Sequence, residues 1–138
     1  MIFRWFYIST SRLAEDESDE LVADIVRDSI PRNRKLQVTG ALLFTGRHFA
    51  QYLEGPATSV GTLQRIILDD LRHEDIRTIA EGAYPCRRFV TWSLAYVPPA
   101  RSGERRIEQL LSDAAHARED CVEALAQFMS ESAMMGHA

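Results

Sequence analysis

The sequence predicts an α+β domain built on a mixed sheet, with two early helices on one face and C-terminal helices on the other. Three observations carry that prediction. Apolar residues alternate with period two in some segments and recur every three or four residues in others. Those segments follow the order strand, helix, hairpin, helix, two strands, then helices, which is an α+β plan. The length of 138 residues suits one ordinary domain, and 46% hydrophobic with 26% charged residues lies near the globular averages.

The first strand is Ile2 to Ser9, rich in aromatic and β-branched side chains. Phe3, Trp5 and Tyr7 fall on one face and Ile2, Phe6 and Ile8 on the other, so both faces are covered, as in a central strand. The acidic stretch EDESDE precedes Leu21, Val22, Ile25, Val26 and Ile30, a helical stripe with acids at its positive end. Pro31 predicts the stop, because the residue before proline disfavours helix. Leu36 to Phe44 reads as a second strand, Thr45-Gly46 as a turn, and RHFAQYLEG as a third strand closing a hairpin. Phe49, Gln51 and Leu53 share one face of that strand, while His48, Ala50 and Tyr52 share the other. Gly55-Pro56 breaks it. Val60, Leu63, Ile67 and Leu71 then mark a second helix, followed by two shorter strands near Ile76 to Glu81 and Phe89 to Val97. Pro98-Pro99 with Arg101-Ser102-Gly103 reads as the linker. Beyond it Ile107, Leu110, Leu111, Ala114, Val122, Leu125, Phe128 and Met129 keep helical spacing, as one long helix or two short ones.

Composition excludes several functions. A net charge of -4 and pI near 5.5 disfavour nucleic acid as the main partner, since that affinity rests on neutralising phosphates with cations. No apolar run approaches the roughly 20 residues of a membrane span, and Arg4 interrupts the N-terminal run, so the expected address is cytoplasmic. Cys86 and Cys121 lack C-x-x-C spacing and read as packed thiols. His48, His73, His116 and His137 show no metal-ligand spacing and read as surface or edge residues. The common hydrolase, kinase and nucleotide-binding signatures are missing, so no enzyme is expected.

What stands out is polar groups at apolar positions of the sheet, where a buried polar ligand needs partners. Gln51, between Phe49 and Leu53, is either a core amide bonded to nearby backbone or a bridge from a tyrosine hydroxyl to a heterocycle. Tyr7 is either a sheet-end tyrosine touching water or that buried hydroxyl. Asn33, in the basic connection Arg32-Asn33-Arg34-Lys35, is either a turn former or an amide for a ring edge, with its neighbours meeting phosphates. Trp92 and Leu94 share a strand face near the sheet edge, with core packing as the default.

From residue 2 to 97 these features resemble the BLUF family of flavin-based blue-light sensors. The motifs are FRWFYIS in the first strand, RNRKLQVTGALLF, FAQYLEG, D-L-R-H at 70 to 73, and R-R-F-V-T-W-S at 87 to 93. The resemblance implies a ferredoxin-like βαββαββ fold, with a flavin ring between the first two helices and the sheet. It also implies roles: Tyr7 as photoactive tyrosine, Gln51 as switching glutamine, and Asn33 as a hydrogen-bonding partner of the ring. Ile25, Leu42, Ile66 and Ile67 are its apolar walls, Arg32 and Arg34 help retain the flavin, and Trp92 and Leu94 are the signalling positions. The implied cofactor is non-covalent FAD, with FMN or riboflavin as substitutes. In the implied photocycle Tyr7 gives the excited flavin an electron and then, through Gln51, a proton. After recombination Gln51 is left rotated or tautomerised, and the absorption band moves to longer wavelength.

Two departures stand out: Leu94 occupies a position where the family often has methionine, and Ile66 takes a slot where some members carry an arginine, Arg65 lying one place away. Residues 1–97 are then the photosensor domain and 98–138 a helical extension packing on the sheet. The implied function is a photoreceptor without turnover that signals to an unidentified partner protein, with a homo-oligomer expected. A light-insensitive or flavin-free BLUF-like interaction module is the alternative. A small flavin-dependent reductase ranks last, for want of a substrate-side acid, base or nucleophile.

Overall fold

The computed structural model describes residues 1–112 and 118–136, so Ala114, His116 and His137 lie outside the described residues. The elements run β1 (Ile2–Ser11), α1 (Ser18–Lys35), β2 (Thr39–Phe44), β3 (His48–Gly55), α2 (Ala57–Leu68), β4 (His73–Tyr84), β5 (Ala95–Val97), α3 (Arg101–Leu111) and α4 (Arg118–Gly136). The strands form one mixed sheet in the order β4-β1-β3-β2-β5, antiparallel except for the β2–β5 pair.

The period-two alternation sorts the sheet's side chains as the sequence predicts. Trp5, Tyr7, Leu42, Phe49 and Leu53 pack with Val22 of α1 and Val60, Leu63 and Ile67 of α2. Phe6, Ile8, Leu43, Ala50 and Tyr52 pack on the opposite face with Ile107 and Leu110 of α3 and Leu125 and Met129 of α4. The sheet is thus buried on both faces, and the C-terminal stripe resolves into two helices.

Several boundaries differ, each for a local reason. Pro31 lies inside α1 rather than ending it. It is exposed, so the carbonyl left without an N–H partner one turn back meets water, and Arg32, Arg34 and Lys35 favour the negative helix end. The basic connection containing Asn33 is therefore helix, not turn. Chain reversal comes later, where Gln37 adopts φ 60° and its N–H closes on the Arg34 carbonyl at 3.1 Å. β2 consequently starts at Thr39.

β4 is longer than predicted and β5 is reduced to three residues. Residues 86–94 form no ladder, because their polar groups are taken elsewhere. The Glu54 carboxylate accepts the Arg88 and Phe89 backbone N–H groups, and the Arg87 guanidinium bonds Thr39 Oγ1 and the Gln37 and Glu54 carbonyls. The expected linker residues 101–103 instead open α3, with Gly103 packed so closely on Leu43 and Phe128 that an added Cβ would lie 3.1 Å from the phenylalanine ring. The α3 residue Glu104 also bonds Thr45 and His48 of the hairpin.

Candidate functional site

Antiparallel pairing sets Tyr7 of β1 directly opposite Gln51 of β3, and Gln51 directly opposite Leu42 of β2. All three point to the α1/α2 face. Above them opens a narrow cleft with a cavity of about 80 Å3, partly open to solvent. Ile25, Ser29 and Arg32 of α1, Ile66 and Ile67 of α2, Phe49, and Asp70, Arg72 and His73 complete its lining.

The Tyr7 hydroxyl donates to Gln51 Oε1 at 2.5 Å, and both side chains are buried, at 3% and 4% exposure. The amide carbonyl faces the tyrosine, so the amide's two N–H donors point away from the hydroxyl. Burial pushes the Tyr7 hydroxyl far above the ordinary range; the Asp70 carboxylate adds to the rise and Arg32 opposes it. The hydroxyl therefore keeps its proton, which sits on the donor side of a short bond to an amide oxygen.

The rim is ionic. Asp70 grips Arg72 through both carboxylate oxygens, with Arg72 Nε at 2.9 and 3.1 Å and Nη2 at 2.5 Å. That bond holds the Asp70 carboxyl below its ordinary value, against a smaller opposing effect of burial. Arg32 is half-buried, bonds Ser29 Oγ at 3.3 Å, and has a buried Nε without a partner; burial lowers its pKa. His73, expected at the surface or an edge, begins the edge strand β4 and is buried there. Its Nε2 lies 2.8 Å from the Ile67 carbonyl, which only accepts, so Nε2 carries the hydrogen and Nδ1 accepts from Ser9 Oγ at 2.7 Å. The ring thus fixes the end of α2 against β1 and meets Phe49 edge-on, with an interplanar angle of 90°.

The cleft gathers most of the residues singled out from the sequence: Tyr7, Gln51, Ile25, Leu42, Ile66, Ile67 and Arg32 all line it. Ile66 is its most open wall, at 43% exposure. Asn33 and Arg34 do not line it. Arg34 is exposed, whereas Asn33 is fully buried, donates from Nδ2 to the Ser93 carbonyl at 3.0 Å, and has an unpartnered Oδ1. Trp92 and Leu94 do not share a strand face, because their segment is not a strand. Leu94 is buried in the α1/α2-side cluster with Trp5 and Tyr7, and Trp92 packs against the α3/α4-side cluster. Asp70, Arg72 and His73 carried a signal in the D-L-R-H motif and Phe49 one in FAQYLEG, without individual site roles; Ser29 carried none.

These residues fit a planar group with polar edges. Aliphatic side chains make the walls, an amide lies at the floor, and the orphaned Nε–H of Arg32 is a buried donor awaiting an acceptor. Among the described residues no cluster has the makings of a metal site, and no helix is long and apolar enough to cross a membrane.

Residues 2–95 match the family described as BLUF, sensors of blue-light using FAD. The blue light- and temperature-regulated antirepressor BluF of Escherichia coli (strain K12) is 39% identical over 82 residues, 59% of this chain and 20% of that protein. The photoactivated adenylate cyclase subunit beta of Euglena longa is 38% identical over 84 residues, 54% of this chain and 10% of that protein. This chain therefore spans a fifth or less of these curated relatives. Among solved structures, the dark state of the BLUF protein BlrB superposes with a TM-score of 0.73 at 31% identity, covering 95% of this chain and 96% of that one. The photo-activated state of BlsA gives 0.79 at 21% identity, covering 94% and 95%, a likeness of fold.

Proposed function

The chain belongs to the BLUF family, whose domain binds a flavin and acts as a sensor, and from that membership we propose that this protein is a blue-light photoreceptor reading its cofactor through Tyr7 and Gln51. The observation that carries the reading is the buried 2.5 Å bond between those side chains beneath a cleft with an unpartnered cationic donor. A bound flavin supplies a blue-absorbing ring that becomes a strong oxidant when excited. Tyr7 is the phenol among the residues lining the cleft, and its proton already lies in the bond to the Gln51 amide. Gln51 presents carbonyl and amino ends on one rotor, so turning it exchanges acceptor for donor at both neighbours. Such a network has two satisfied arrangements, which is what a signal without a chemical product requires.

Ile25, Leu42, Ile66 and Ile67 would wall the flavin ring, Arg32 and Arg72 would meet the cofactor's carbonyl and phosphate oxygens, and Asp70 holds Arg72 in place. Asn33 holds the Ser93 carbonyl through Nδ2 and keeps Oδ1 unpartnered, so a flavin contact at this amide would join the cofactor to the Trp92–Leu94 segment. FAD is the assigned flavin, on the family's description. Output passes to a partner protein or a second copy, without turnover by this chain. The free thiols of Cys86 and Cys121 accord with a reducing, cytoplasmic setting.

The test is an absorption spectrum of flavin-loaded protein in darkness and under blue light. A reversible shift to longer wavelength is expected, and it should vanish in Tyr7→Phe and Gln51→Leu while flavin is retained. A protein that cannot be loaded, or a normal shift in either variant, overturns the assignment.

A further inference from the structure

The cleft leaves one fully buried carboxylate out of account. Glu54 is the penultimate residue of β3, three residues beyond Gln51, at 0% exposure. Its Oε1 accepts the Arg88 N–H at 2.9 Å, and its Oε2 accepts the N–H groups of Arg88 at 2.7 Å and Phe89 at 2.5 Å. Burial raises its pKa while those N–H groups and the nearby arginines pull it down. A buried carboxylate is a costly way to tie a loop to a strand, since it must be desolvated, but charged hydrogen bonds to backbone are about twice as strong as neutral ones. The loop tied here is 86–94, which carries Leu94 into the cluster below the cleft and Trp92 onto the opposite cluster. The same loop reaches α4: Arg88 Nη2 pairs with Glu123 at 2.6 Å, and Phe89 packs against Tyr52 of β3.

We infer that Glu54 is the positioning residue that couples β3 to this loop, and that the Arg88–Glu123 pair delivers the movement to α4, making α4 the output surface. Gln51 and Glu54 sit on one strand three residues apart, so a change at the amide is felt at a carboxylate whose three acceptor contacts all lie on the loop. The inference rests on the sensor reading, and its readouts are separate from that reading.

Two variants test it. Glu54→Gln is isosteric and removes the charge; Glu123→Ala changes a half-exposed residue of α4 and cuts the relay downstream. In the dark and without flavin, Glu54→Gln should speed hydrogen exchange at the Arg88 and Phe89 amides about tenfold, for loss of charged bonds. With flavin bound, the red shift should remain in both variants. The light-induced change in amide exchange across α4 should fall at least about fivefold in both, whereas the change in 86–94 should persist in Glu123→Ala alone. A wild-type light response of α4 in either variant overturns the inference, as does a wild-type protein that shifts its spectrum without any response in α4. Loss of the red shift in the wild type instead sinks the sensor reading, and the dark exchange at Arg88 and Phe89 still decides whether Glu54 holds the loop.

Discussion

The Tyr7–Gln51 bond can be weighed without light. In flavin-free protein, Tyr7→Phe removes only the hydroxyl, leaving Gln51 Oε1 buried at 4% exposure without its donor. A buried polar group so stranded costs about 1–3 kcal/mol. Gln51→Leu strands the Tyr7 hydroxyl at a similar cost. Replacing both partners by apolar groups of like shape removes the stranded atoms together and is close to neutral. The double-mutant cycle should therefore show a coupling of about 1–3 kcal/mol, with the pair of changes costing far less than the sum. With a urea slope of about 1–3 kcal/mol per molar, each single variant should unfold at a midpoint about 1 M below wild type, and the double variant near it. The assay is equilibrium urea unfolding followed by tryptophan fluorescence and circular dichroism on all four proteins. Additivity within about 0.5 kcal/mol would refute the reasoning, because unbonded side chains do not couple.

Three further outcomes follow from the geometry. Asp70 is held below its ordinary value of 3.8 by Arg72, so its contribution to stability is present above that pH and is lost as pH falls through the depressed value. Acid unfolding of Asp70→Asn should lack that component, and an unchanged stability–pH curve counts against the ion pair. Because the Tyr7 hydroxyl is raised above its ordinary 10.0, folded protein should show no tyrosinate absorption from Tyr7 at moderately alkaline pH, and stability should decline above that value as the unfolded chain ionises. A Tyr7-dependent tyrosinate band in folded protein at pH 10 contradicts the burial. Gly40→Ala places a Cβ 1.9 Å from the Tyr52 carbonyl oxygen, so β2 and β3 must part. A loss of about 3 kcal/mol or more is expected, and a melting temperature equal to wild type would show that the strands lie farther apart.

The sheet face of each early residue was legible because alternation needs only neighbours in sequence; Phe49, Gln51 and Leu53 could be sorted from His48, Ala50 and Tyr52 without any partner in view. What escaped were arrangements decided by distant residues. Phe89 to Val97 reads as one strand until Glu54, more than thirty residues earlier, claims the Arg88 and Phe89 backbone donors and leaves only the last three residues in the ladder. His73 reads as a surface or edge histidine, and its burial follows only once Ser9, 64 residues away, meets its ring. Pro31 misled for the opposite reason: a general rule about proline gave way to a solvent-facing position where the lost bond is replaced by water. At the site, Tyr7 and Gln51 each look ordinary alone; the signal lay in their joint spacing with Asn33 and Trp92, and their facing positions needed the ladder. The bonding of Asn33 to the Ser93 carbonyl, and the separation of Trp92 from Leu94, needed the fold.

The facing of Tyr7 and Gln51 across β1 and β3 means that the strand ladder acts as a ruler for the sensor pair. One residue inserted into β3 between His48 and Gln51, with the Thr10–His48 pairing at the hairpin end kept, would turn the amide to the α3/α4 side and bring its neighbour to face the tyrosine. The rows Trp5–Leu53 and Ser9–Phe49 flank the pair at steps of two on the same side. A tyrosine–glutamine couple can therefore be moved along the sheet only in whole double steps, and those rows are where a transplanted or second pair would have to be written.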